Sequence, residues 1–179
     1  MDDKTLRIIQ LASSNTSADT LKSTTTIATV DTVHSVTLVD NTLYIADGSV
    51  GIQAIDVSNP VSPTVRAGYY DTQGTAFDVE IKAIAGKTYA FIADGAKGFV
   101  VVDITTWPTT KTTLGTTPTS TYNFLSLDNN YAWLTLTQYG AAYRITLDGN
   151  YAYIADDNLG LKIVDISTPL NPKVVGTYK

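Results

Sequence analysis

Residues 153–172 read YIADDNLGLKIVDISTPLNP, and two earlier stretches follow the same pattern: YIADGSVGIQAIDVSNPVSP at 44–63 and FIADGAKGFVVVDITTWP at 91–108. In each copy an Asp (Asp47, Asp94, Asp156) is followed four residues later by a Gly (Gly51, Gly98, Gly160), and five residues further by a second Asp (Asp56, Asp103, Asp165). Self-similarity of this kind fixes architecture before any single residue is read. Each copy predicts a hairpin, with an aromatic and β-branched strand ending at Ala-Asp, a Gly-bearing turn and a second strand running to the next Asp. The second strands, GIQAIDV, GFVVVDI and GLKIVDI, are apolar on both faces rather than alternating. A strand of that composition is expected to be covered on both faces. A two-layer sandwich leaves one face wet, whereas a propeller blade is pressed between two neighbours.

The repeated aspartates are unusual in strands, where Asp is depleted. They read as turn-forming carboxylates that accept from backbone N–H groups. The alternative is a repeated cation site, since hard cations take oxygen ligands. No copy carries the dense run of alternating acids that a calcium loop uses, so no metal is assigned.

The IVD strand end at 161–165, the YIAD before it and the DISTPLNP after it resemble the LVIVD repeat. The resemblance covers residues 32–119 and 142–179. It implies a β-propeller of the kind found in bacterial and archaeal surface or secreted proteins, and hence an extracellular or cell-surface location. It implies no chemistry, because the repeat is a structural unit.

Along the chain, residues 5–31 look like a half-repeat, in which LRIIQL (6–11) stands for the IVD strand, 12–25 is loop and 26–30 is an outer strand. Residues 32–72 and 73–119 each read as a blade, 120–141 as a shortened repeat and 142–179 as a last blade. The last blade starts with 143–147, because Asp148-Gly149-Asn150 is a hairpin turn leading into 151–155. The expected fold is all-β, an array of four-stranded antiparallel blades, about four in number. The two half-units are separated in sequence, so the expectation is a ring that closes irregularly, a piece of a longer propeller, or strand edges completed by a second copy of the chain. Bare strand edges are a liability that proteins cover, which makes the chain itself an expected partner.

Composition narrows the function. The chain has 179 residues, 44% hydrophobic but only 16% charged, with a net charge of −5. This acidic balance excludes nucleic acid and anionic membranes as natural partners. No apolar stretch approaches a membrane-spanning helix. Without cysteine, no disulfide, thiolate site or Cys nucleophile exists. The first residues, MDDKTLRIIQL, lack a signal-peptide pattern, so a secreted protein would be represented here in its mature form. A glycan sequon stands at Asn15-Thr16-Ser17.

A hydrolytic triad needs a base, and His34 is the only histidine; no HExxH, Walker loop or G-x-S-x-G is present. No catalytic residue and no cofactor is assigned, and the chain reads as a non-enzyme. Three residues are candidates for ligand binding. His34, the only histidine, opens an inner strand near the expected channel mouth. Glu80, the only glutamate, sits within another inner strand. Trp107 precedes a proline in a loop and reads as an exposed platform for a sugar ring. Tyr69, Tyr70, Trp133 and Tyr139 are further aromatic candidates, Trp133 reading as core. The leading expectation is a non-catalytic surface module that binds another copy or another surface protein. The second is a secreted carbohydrate-binding or hydrolytic propeller that takes a glycan at the channel mouth.

Overall fold

A computed structural model of the chain describes residues 4–11, 21–115, 130–134, 136 and 140–179. Sixteen strands are found among them. An N-terminal hairpin pairs β1 (Thr5–Leu11) with β2 (Leu21–Ala28). β2 therefore begins inside the stretch read as loop. Its Thr-rich run is β-branched and suits a strand better than its polarity suggests.

The first sheet holds β3 (Ser35–Val39), β4 (Thr42–Ala46) and β5 (Ile52–Asp56), then β6 (Thr64–Val65) and β7 (Tyr69–Asp71) on the far edge of β5. The second holds β8 (Asp78–Ile84), β9 (Lys87–Ala93) and β10 (Phe99–Asp103). The third is an antiparallel sheet of β13 (Ala142–Asp148), β14 (Tyr151–Asp156), β15 (Gly160–Asp165) and β16 (Lys173–Tyr178), with 143–147 in the inner strand as expected.

The second sheet departs from the expected pairing. Its outer strand was expected within 73–119, but β11 (Lys111–Thr113) leaves it and pairs in parallel with β7 of the first sheet. The vacated edge of β10 is taken by β12 (Tyr131–Leu134), from the stretch read as a shortened repeat. The residues explain the exchange. All four side chains of YAWL are buried, Trp133 completely, whereas Lys111 and Thr113 are exposed. Burying two large aromatics and a leucine outweighs anything that KTT brings to the same edge.

The sheets stack face to face in chain order through three cores. Leu6 and Ile8 of the hairpin pack against Ile45 and Ile55 of the first sheet. Ala46, Ile52 and Tyr70 of the first meet Val79, Ile92, Val100 and Val102 of the second. Phe91, Phe99 and Val101 of the second meet Ile145, Ile154 and Val164 of the third. This is a propeller-like array of antiparallel sheets. β5 and β10 are buried on both faces, as their composition predicts. β15 is not: Lys162 and Val164 are buried while Leu161 is 37% exposed. Among the described residues no core joins the outer face of the third sheet to another sheet.

The repeated glycines have a local cause. Gly51, Gly98 and Gly160 adopt φ of +99°, +89° and +77°, which an L side chain rarely tolerates. A Cβ on Gly51 would also collide with the Tyr70 carbonyl, and one on Gly160 with that of Tyr178. At 51 and 160 the residue is also glycine because the outer strand passes directly over it.

Candidate functional site

In the first two repeats the first aspartate ties the inner hairpin to the chain entering its own sheet, whereas both carboxylate oxygens of Asp156 are buried with no partner among the described residues. The Asp47 carboxylate accepts from the backbone N–H groups of Val30 (3.2 Å) and Asp31 (3.1 Å) and from Gln53 Nε2 (2.9 Å). Asp94 accepts from the Thr72 hydroxyl at 2.6 Å, and its other oxygen is buried with no partner among the described residues. Burial pushes the Asp94 carboxyl up to about 8, and raises Asp47 and Asp156 as well. The second aspartates cap the outgoing turn two residues on. Asp56 accepts from Ser58 N–H (2.9 Å), Asp103 from Thr105 N–H (3.0 Å) and Asp165 from Ser167 N–H (2.8 Å). No group of three or more acidic or histidine side chains gathers as a metal site among the described residues.

The inner strands β3, β8 and β13 open on a row of rings. His34, Phe77 and Tyr143 hold the same place in HSVTLV, FDVEI and YRITL. The His34 and Phe77 rings lie 4.8 Å apart at 50°, and Phe77 and Tyr143 lie 4.7 Å apart at 55°. His34 and Tyr143 are exposed at the two ends of the row. Around it, Asp78 accepts from the Ile145 N–H (3.0 Å) and faces Arg144 at 3.9 Å. Glu80 is half-buried one turn of the pleat further along β8, and burial, then the neighbouring Asp78 carboxylate, raises its carboxyl above the usual range. Beside His34 an open groove of ≈ 500 Å³ runs between residues 5–7 of β1 and residues 33–36.

Of the three candidates, His34 belongs to this mouth and Glu80 lies on an inner strand beside it. Trp107 does not. It is half-buried between Tyr44 (5.8 Å) and Tyr70 (5.3 Å, edge-on), and its Nε1 donates to the Gly68 carbonyl at 3.2 Å. Both its hydrogen bond and its ring faces are used inside the protein, so it is a wedge and not the exposed platform expected. Tyr70 is likewise buried, and Trp133 is core. Tyr139 and the Asn15 sequon lie outside the described residues. The ring row was missed in the sequence, although aligning the three inner strands shows it.

A second, polar pocket of ≈ 380 Å³ is lined by Tyr70, Lys87, Asp103, Thr105, Thr106 and Asn130. Lys87 bridges Asp103 at 2.7 Å within it. Burial raises the Asp103 carboxyl, but Lys87 and the Thr105 hydrogen bonds outweigh that and hold it below its ordinary range. Neither pocket sets a nucleophile beside a base among the described residues: no side chain hydrogen-bonds the His34 imidazole, and the Asp103 carboxylate is held ionised by its partners.

The LVIVD repeat matches this chain at residues 32–72, 73–112 and 139–179. These spans coincide with the three sheets apart from the outer strand that the second sheet takes from elsewhere. No curated protein and no solved structure matches the chain.

Proposed function

Because the chain belongs to the LVIVD-repeat family, we propose that it is a non-catalytic module of the cell surface or the extracellular space, whose stacked sheets associate with further copies or with another surface protein. One observation carries this reading. The face that the second sheet buries against the third, with Phe91, Phe99 and Val101 fully covered, recurs on the third sheet as Tyr153, Leu161 and Ile163, which no other sheet covers among the described residues. Around them Tyr151 is 43% and Tyr178 63% exposed. A contiguous apolar patch of this kind marks an interaction surface, and a contact between different faces of like copies propagates head to tail. Light scattering and electron microscopy of the purified protein test it. Assembled particles that Tyr153→Lys disperses are expected; a strictly monomeric wild-type particle overturns the assembly reading.

The ring row favours a second reading, in which the mouth binds a glycan. His34 and Tyr143 offer apolar ring surface, and the half-buried Glu80 carboxylate can accept a hydrogen bond from a sugar hydroxyl. A glycan array with the wild type, His34→Ala and Glu80→Gln tests it. Binding weakened by both variants supports the reading, and no binding, or binding indifferent to both, removes it.

A further inference from the structure

The inner strands of the three sheets are built alike but are not covered alike. Aligned on His34, Phe77 and Tyr143, the positions Val36, Val79 and Ile145 are equivalent, as are Leu38, Ile81 and Leu147. Val79 is 0% and Ile145 3% exposed, yet Val36 is 49% and Leu38 61% exposed. The difference lies in what stands behind them. Val79 sits under the inner pair of the first sheet, with the Thr37 hydroxyl donating to its carbonyl (2.6 Å) and its N–H donating to Ser35 Oγ (3.1 Å). Ile145 sits under the inner pair of the second sheet, beside Phe91 and Ala93. Behind Val36 and Leu38 the preceding sheet is the N-terminal hairpin, which supplies only a third and a fourth strand. β1 is the third strand: LRIIQL aligns with LKIVD, and Leu6 and Ile8 pack on the first sheet from the place that Leu161 and Ile163 hold in the last. β1 pairs with β2 alone, so the edge where a second strand would join is unpaired among the described residues. The groove beside His34 runs along that edge.

We propose that this groove is a docking site for an antiparallel strand pair of the repeat's own inner type, contributed by another polypeptide. The pair adds to the edge of β1 that no described strand occupies and lays its apolar row on Val36 and Leu38. Its chemistry is set by the two interfaces already closed inside the chain. The covering strand carries an aromatic and an alanine two residues apart, Tyr44 and Ala46 in one case, Phe91 and Ala93 in the other. The inference rests on the reading of the protein as an association module, and gives that module one specific receptor groove.

The test uses the full chain and a peptide of residues 143–156, YRITLDGNYAYIAD, which carries an inner pair with its own turn. Calorimetry should show saturable one-to-one binding, with slowed amide exchange along β1 and β3. Leu38→Lys should weaken binding at least tenfold. Val175→Lys, at a position 58% exposed on the last sheet, should leave it unchanged. Failure of the peptide to bind, equal binding to Leu38→Lys, or protection confined to β16 would overturn the site. Scattering on the protein alone separates the two proposals: a monomer that binds the peptide removes self-assembly and keeps the groove. An assembly indifferent to Leu38→Lys, with no peptide binding, keeps self-assembly and removes the groove.

Discussion

The second and third sheets carry the same pattern and live in different surroundings. Phe99, Val101 and Phe91 of the second have no exposed surface, while Leu161, Ile163 and Tyr153 stand in the same register on the third and face outward. The repeat writes an apolar residue at these places whether or not a neighbour is present to cover it. Burial in a stacked array is thus a property of position in the stack, and local sequence alone does not determine it.

The sharpest way to break this comparison is to truncate equivalent side chains. Phe99→Ala opens a cavity between two sheets and should cost about 3–5 kcal/mol. Leu161→Ala, at the same repeat position on an open face, should cost on the order of 0.5 kcal/mol. Urea unfolding of both variants checks the contrast, and equal losses would mean that the third sheet's outer face is covered in solution.

A second, smaller effect should be common to both sheets. Gly98 and Gly160 share a left-handed conformation that owes nothing to the neighbouring sheet. Gly98→Ala and Gly160→Ala should each cost at least on the order of 1–3 kcal/mol through backbone strain, with the collision against the Tyr178 carbonyl adding to it at 160. Lowered denaturation midpoints are expected at both positions, in contrast to the unequal pair above.

The remaining effect is electrostatic. Asp94 has its carboxyl pushed up to about 8 by burial from an ordinary value of 3.8. The folded state therefore holds a proton that the unfolded chain releases, and the stability this group supplies is complete below about pH 4 and lost as pH rises through about 8. Asp94→Asn should gain on the wild type progressively across that window. Melting temperatures at pH 4, 6 and 8 measure the difference; a gap that stays constant would show that Asp94 does not titrate there.

The fold was legible because its signals are local. The Asp–Gly–Asp spacing, the Asp148-Gly149-Asn150 turn and the two-sided apolar strands each act within one hairpin. The outer strand of the second sheet was not legible, because it is decided by competition. KTT and YAWL both fit the edge of β10, and the winner depends on how much aromatic surface each buries there. The candidate site was read in part. His34 was placed at the inner-strand mouth, but Phe77 and Tyr143 went unnoticed until the three inner strands stood side by side. Trp107 misled because a tryptophan before a proline in a polar stretch looks exposed. Its slot is made by Tyr44 and Tyr70, distant in sequence and visible only after folding.

The parallel return of β11 to β7 has a mechanical consequence. After finishing β10 the chain steps back into the first sheet and then comes forward again to supply β12. The first and second sheets are laced together by a stitch, and neither can be drawn out without releasing the other. Among the described residues the third sheet exchanges no strand with another and is joined to the second repeat's turn by the Gly95–Ala142 backbone bridge. Pulled from its C-terminus, the molecule should shed one sheet at low force and then resist as a single double-sheet block.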